Sequence, residues 1–362
     1  MQKKSWVSSF CLVFLLVLVQ ITFAQTSPSA DGSEPDNEKT SAQLKSAAKP
    51  SGNLAIPTAA DWGEDLNTLK ATGKPGTRVL LTDAFQIEEY NQPQYTAELI
   101  RIQWRPVDPL ELMVIKPVGV TRPPVALYLF SYPSDNDRFT NVEFCKALTA
   151  NGVAAVGFVS ALTGHRFHDR PNSQWFVSEL QESLATSVHD VQFILDYLTA
   201  RGDLDTNRVG MWGDGSGASI AIMAAAADPR IKTLDLLDPW GDWPDWLSHS
   251  SLVPDNERAN FLKPDFLKKV ETLDPVKWLP ELGSRPVRLQ FIEGVKVTPL
   301  VAQNRIAEAA KDNVQVLRYE SLKAFLSKEK DTGKPFAWLH QQLARLPADQ
   351  GTTTASSVQA SR

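Results

Sequence analysis

Apolar and polar positions recur along the chain in two different periods, and the changes of period divide it into elements. The clearest helical period runs through Leu184, Val188, Val191, Leu195 and Leu198 at steps of four, three, four and three, which makes one apolar stripe. Such a stripe predicts a helix packed on a sheet. Around it stand short, nearly continuous apolar runs: "PVALYLFSYP", "VAAVGFVSAL", "NRVGMWG", "IKTLDLLDPW", "PVRLQFIEGV" and "VQVLRYES". Runs of this kind suit strands buried on both faces, as in parallel sheets. Further helices are predicted over "NVEFCKALTANG", closed by Gly152, over the small-residue segment "SGASIAIMAAAADP", and over "PLVAQNRIAEAAK" and "PFAWLHQQLARL". Earlier, "YTAELIRIQWR" and "LELMVIKPVGV" flank the turn signal "PVDP" and suit an antiparallel pair at one sheet edge.

Strands and helices therefore alternate, which predicts an α/β domain with a mainly parallel, doubly wound sheet and antiparallel N-terminal strands. Residues 240–285 break the alternation and read as a small, partly helical, cap-like insertion. No fixed period recurs, which excludes solenoids and propellers.

The folded domain is expected over 62–347. Residues 25–61 are rich in Ser, Ala, Pro and charge without hydrophobic period and read as a disordered linker; 348–362 read as a disordered tail. Ahead of the linker, Lys3 and Lys4 precede an apolar run from Val7 to Val19, and small Ala24 stands before Gln25. Residues 1–24 are thus expected to be a signal peptide cleaved after Ala24, with export to the periplasm or the exterior. The competing reading is an uncleaved membrane anchor, since Trp6 to Ala24 is nearly long enough to span a bilayer. Cys11 lies too early in the run for a lipoprotein cleavage site. Removal of the segment leaves Cys145 as the one cysteine, a buried small hydrophobe in "VEFCKAL", so the domain must be stable without a disulfide. A net charge of −5 gives no reason to expect a nucleic-acid partner. The five histidines show no metal-binding spacing, and neither a metal nor a cofactor is expected.

Candidate chemistry centres on "LDTNRVGMWGDGSGASIA". It resembles the α/β-hydrolase superfamily, in particular the dienelactone-hydrolase and prolyl-oligopeptidase-like branch, in which an Asp-x-x-Arg-(Ile/Val)-Gly lead-in precedes Gly-x-Ser-x-Gly. Asp205, Arg208, Val209 and Gly210 supply the lead-in. The resemblance implies an α/β-hydrolase fold, with the nucleophile on a strained turn flanked by small residues that let strand and helix approach. Gly213 and Gly217 are those small residues, but the elbow reads Gly213-Asp214-Gly215-Ser216-Gly217, with glycine at the nucleophile position. Gly215 suits a positive φ, and Ser216 is read either as a cap of the following helix or as a nucleophile shifted by one residue.

The other catalytic positions implied by the resemblance also depart from the pattern. After "PVRLQFIEGV" an aspartate is expected and Val297 stands there, with Glu293 nearby. The loop after the last strand, "YESLKAFLSKEKDTGKPF", holds no histidine, and His340 belongs to the helical period of Phe336, Leu339, Leu343 and Leu346. A relocated set can be assembled from Ser216, Asp238 at the end of "TLDLLDPW", and His165 or His168 in the loop after "VAAVGFVSAL". Backbone N–H groups of Tyr132 and Ser216 remain as candidate oxyanion donors.

A crevice at the carboxyl edge of the sheet would be lined by Tyr132, by Arg166, His168 and Trp175 of one loop, and by Trp240, Trp243 and Trp246 of the insertion. These tryptophans either floor a ligand pocket or form the core of the cap. Two readings result. In the first, the fold persists without its triad and binds a small molecule or partner. In the second, the chain is a serine hydrolase acting on an ester-like or peptide substrate through Ser216.

Overall fold

The computed structural model describes residues 85–105, 108–132, 137–161, 180–310, 313–331 and 336–348. All of them lie in the compact unit Glu64–Arg362. The expected signal peptide, linker and C-terminal tail fall outside the described residues, apart from position 348. So does the loop 162–179, with His165, Arg166, His168 and Trp175.

Nine strands form one sheet in the order β1-β2-β3-β5-β4-β6-β7-β8-β9. The strands are β1 Phe85–Asn91, β2 Tyr95–Arg105, β3 Asp108–Pro117, β4 Pro124–Leu129, β5 Ala154–Phe158, β6 Asp205–Asp214, β7 Ile231–Leu237, β8 Val287–Ile292 and β9 Val314–Tyr319. β1, β2 and β3 pair antiparallel, and β3 joins β5 antiparallel; from β5 onward every pairing is parallel. This is the expected doubly wound arrangement, with one strand more than the hydrophobic pattern marks. Burial explains the continuous apolar runs: all residues of β4 and β5 are buried.

Among the described residues the helices longer than one turn are α1 Val142–Thr149, α2 Leu180–Arg201, α3 Ser216–Ala227, α4 Trp243–His249, α5 Pro264–Val270, α6 Leu300–Ala309, α7 Leu322–Asp331 and α8 Ala337–Arg345. The five residues of the α2 stripe are completely buried. Each contributes about 1.5–3 kcal/mol of transfer free energy. From Leu184 to Leu195 the helix is buried on every side, polar residues included. Segment 322–331 lies in what the sequence marks as a loop and is instead α7, whose Phe325 is buried and packs edge-on against Tyr319 at 5.2 Å.

The Asp205–Arg208 lead-in is a clamp at the start of β6. The Asp205 carboxylate accepts from Arg208 Nε at 2.6 Å and from the Asn207 N–H at 3.2 Å, and the Asp205 N–H donates to the Pro123 carbonyl at 2.9 Å. It holds the strand in register beside β4 and so delivers its far end, residues 213–217, to the carboxyl edge.

Candidate functional site

β6 ends at Asp214 and α3 begins at Ser216, so the whole turn rests on Gly215. Its φ of 53° and ψ of −115° place it in a region essentially reserved for glycine. The two flanking glycines permit the close approach of strand and helix. A Cβ at Gly213 would stand 2.6 Å from the Ala218 Cα, and one at Gly217 would overlap the Leu129 carbonyl. The elbow architecture is therefore intact.

The space above it is filled. A Cβ on Gly215 would overlap the Ser131 hydroxyl and stand 2.8 Å from Ser131 Cβ and 3.0 Å from Trp240 Nε1. Hydrogen bonds hold both neighbours there. The Gly215 N–H donates to the Leu237 carbonyl at 2.9 Å, the Trp240 N–H to the Gly215 carbonyl at 3.4 Å, and Ser219 Oγ to the Trp240 carbonyl at 2.6 Å. Ser131, two residues past β4, presents its own N–H to the Asp214 carboxylate.

Ser216 is fully buried. Its hydroxyl does not cap α3; it accepts from the Tyr132 N–H at 2.9 Å, and the N-cap position is Gly215, without a side-chain cap. The cap reading fails because the Ser216 side chain lies beside the end of β4 and accepts from the Tyr132 N–H there. The Ser216 N–H in turn points to Ser131 Oγ at 3.4 Å. Both main-chain donors expected to face an oxyanion are thus directed at serine hydroxyls of the chain itself.

Asp238 has φ 43°, a left-handed conformation that aspartate tolerates better than most residues. Its Oδ1 accepts from the Ile292 N–H at 2.9 Å, and its carbonyl accepts from Thr298 Oγ1 at 3.1 Å. Burial pushes the Asp238 carboxyl up to about 8; the Ile292 N–H opposes this and the charge of nearby Asp214 adds to it. Burial likewise pushes Asp214 up to about 6, against the Arg138 charge and the Ser131 N–H. Two carboxyl groups on adjacent strand ends therefore stay largely or partly protonated near neutrality, where a triad acid would be ionised.

Where the resemblance implies a catalytic aspartate, Val297 is buried and its loop is strapped to the insertion: Ser250 Oγ donates to the Val297 carbonyl at 2.7 Å and the Ser251 N–H to Lys296 at 2.9 Å. His340 is a buried residue of α8, as its helical period indicates, with Nε2 on the Tyr128 hydroxyl and Nδ1 on the Asn151 amide, each at 2.9 Å. Neither nitrogen is directed at the elbow. Among the described residues no histidine hydrogen-bonds to Ser131 or Ser216. His165, Arg166, His168 and Trp175 lie outside the described residues.

Trp240, Trp243 and Trp246 are buried to within 1% and pack on one another, with ring centroids 4.8 Å apart for Trp240–Trp246 and 5.7 Å for Trp243–Trp246. They form the core of the cap; they are not an exposed stacking platform. Tyr132 is buried, with 8% of its surface exposed. Ser131 carries no motif in the sequence, being a serine after a strand; only the pairing of β4 with β6 brings it over Gly215.

No protein-family model matches the chain, and no curated protein shows significant sequence similarity to it. Solved structures do match. Acetyl xylan esterase 1 from Thermoanaerobacterium sp. JW/SL YS485 superposes with a TM-score of 0.59 at 12% identity, covering 74% of this chain and 92% of that one. An acetyl xylan esterase from Paenibacillus sp. R4 gives 0.58 at 14%, covering 75% and 92%. A glucuronoyl esterase from Solibacter usitatus gives 0.50 at 15%, covering 80% and 94%. At these identities the likeness shows the fold, and the chain has the α/β-hydrolase fold, with its antiparallel N-terminal strands and mainly parallel sheet.

Proposed function

We propose that this chain is an exported protein that keeps the α/β-hydrolase fold without the hydrolase reaction and binds a small molecule or a partner at the carboxyl edge of its sheet. The observation that carries the reading is the crowded space over Gly215: the nucleophile position has no side chain, and a Cβ there would overlap the Ser131 hydroxyl and press against Trp240 Nε1. Serine nucleophiles need a base within hydrogen-bond reach and donors free to receive the oxyanion. Here the Tyr132 N–H is taken by Ser216 Oγ and the Ser216 N–H faces Ser131 Oγ. The esterase names of the structural neighbours make an acyl or acylated-sugar compound the first ligand class to try. Export rests on the N-terminal segment alone.

A fluorophosphonate probe separates this reading from the alternative of a serine hydrolase working through Ser216. The purified chain is expected to remain unlabelled and to turn over p-nitrophenyl acetate no faster than a Ser216→Ala control. Stoichiometric labelling that disappears in Ser216→Ala would overturn the non-catalytic reading.

A further inference from the structure

The last strand of the sheet, β9, has a bare outer edge: among the described residues its one strand partner is β8, in an unbroken parallel register from Val287↔Val314 to Ile292↔Tyr319. Natural sheets commonly blunt such an edge with proline, lysine or a bulge, because its free N–H and C=O groups template another strand. β9, "VQVLRY", has none of these. Its one charge, Arg318, is exposed and its side chain reaches α6, where it donates to Gln303 Oε1 at 3.3 Å and Asn304 Oδ1 at 2.8 Å.

We infer that β9 pairs antiparallel with β9 of a second copy of this chain, joining the two sheets across a two-fold axis at Val316. The Glu293 N–H donates to the Tyr319 carbonyl at 2.8 Å, so Tyr319 directs its main-chain groups toward β8. By the alternation of a strand, those of Val314, Val316 and Arg318 point outward. A two-fold axis along the sheet normal keeps each face of the sheet on the same side, so the paired residues must share a face and the axis must pass through a residue pair. Centred on Val316, the register lets Val316 exchange both hydrogen bonds with the second copy's Val316, and Val314 with its Arg318.

Among registers centred on an outward-pointing residue, the other two are worse: centring on Arg318 sets two guanidinium side chains opposite each other, and centring on Val314 shortens the ladder. The favoured register also covers Val316, an apolar side chain 38% exposed in the monomer, with its own symmetry mate. Self-complementarity of this kind is what a closed isologous dimer requires.

Sedimentation velocity of the full chain across about a hundredfold concentration range tests the pairing. A monomer–dimer equilibrium is expected, and Val316→Lys, which sets like charges face to face at the axis, is expected to weaken it about tenfold or more. Thermal melting at concentrations where both proteins are monomeric should be unmoved, because the side chain is exposed. Hydrogen exchange at the Val314, Val316 and Arg318 amides should slow only as the dimer forms. A chain that stays monomeric throughout, a dimer indifferent to Val316→Lys, or outward amides already protected in the monomer would each overturn the inference.

Discussion

At the scale of single residues, Gly215 and Ser131 divide between them what one serine does in a working elbow. Gly215 supplies the backbone conformation, and Ser131 puts a hydroxyl into the space above it from a different strand. Restoring the missing hydroxyl is therefore not a matter of one substitution. Gly215→Ser places a side chain onto Ser131 and into a strained φ, and is expected to destabilise the fold by about 1–3 kcal/mol without creating activity. Combining it with Ser131→Gly removes the overlap, and the double variant should recover much of the lost melting temperature. Chemical denaturation of the two variants beside the parent chain checks this; a fully stable Gly215→Ser would show that the space is not closed. Gly215 was legible in the sequence from its place in the motif. Ser131 was not, because its role comes from a neighbour more than eighty residues away in the chain.

At the scale of elements, one carboxylate ties two parts of the insertion to each other. Asp274 accepts from the N–H groups of Asp242 at 2.9 Å, Trp243 at 3.1 Å and Val276 at 3.1 Å, so it caps the start of α4 and that of the one-turn helix Pro275–Trp278 together. Asp274→Ala leaves these buried donors without an acceptor and is expected to cost about 1–3 kcal/mol. Because α4 carries Trp243 and Trp246, which pack with Trp240 over the elbow, tryptophan fluorescence should shift with the loss. An unchanged spectrum and melting point would mean that the cap does not depend on Asp274. The tryptophan spacing left two readings open in the sequence, a ligand platform or a cap core. A spacing of three aligns rings on one side of a helix turn but does not say whether that side meets ligand or protein. α7 went unread for a related reason: its one clear anchor, Phe325, is too little to establish a period.

For the whole molecule, the buried carboxyls Asp214 and Asp238 make stability depend on pH in the direction opposite to an ion-paired aspartate. Both are held above their ordinary value, at about 6 and about 8, mainly by burial. Between the ordinary carboxylate range and those values the folded chain binds more protons than the unfolded one. Their contribution to stability is thus complete below about pH 4 and declines as pH rises through about 6 and then about 8, levelling off above. Asp238→Asn keeps an acceptor for the Ile292 N–H and removes the ionisation, so it should flatten the decline between about pH 6 and 8. Melting temperatures of both proteins across this range measure it; parallel curves would exclude Asp238 as the source.

The sequence by itself determined the α/β class, the order of most elements and the integrity of the elbow, because hydrophobic period and the steric demand for glycine are local properties of the chain. It also places Gly215 and Val297 where the motif implies a serine and an acid, with no histidine in the segment after the last strand. What only the tertiary structure decided is what surrounds Gly215. Strand pairing in the sheet brings Ser131 from β4 and Trp240 from beyond β7 onto Gly215, and directs the N–H groups of Tyr132 and Ser216 toward serine oxygens. Those contacts join segments far apart in sequence, and their geometry follows from the register of the sheet, which no local pattern encodes.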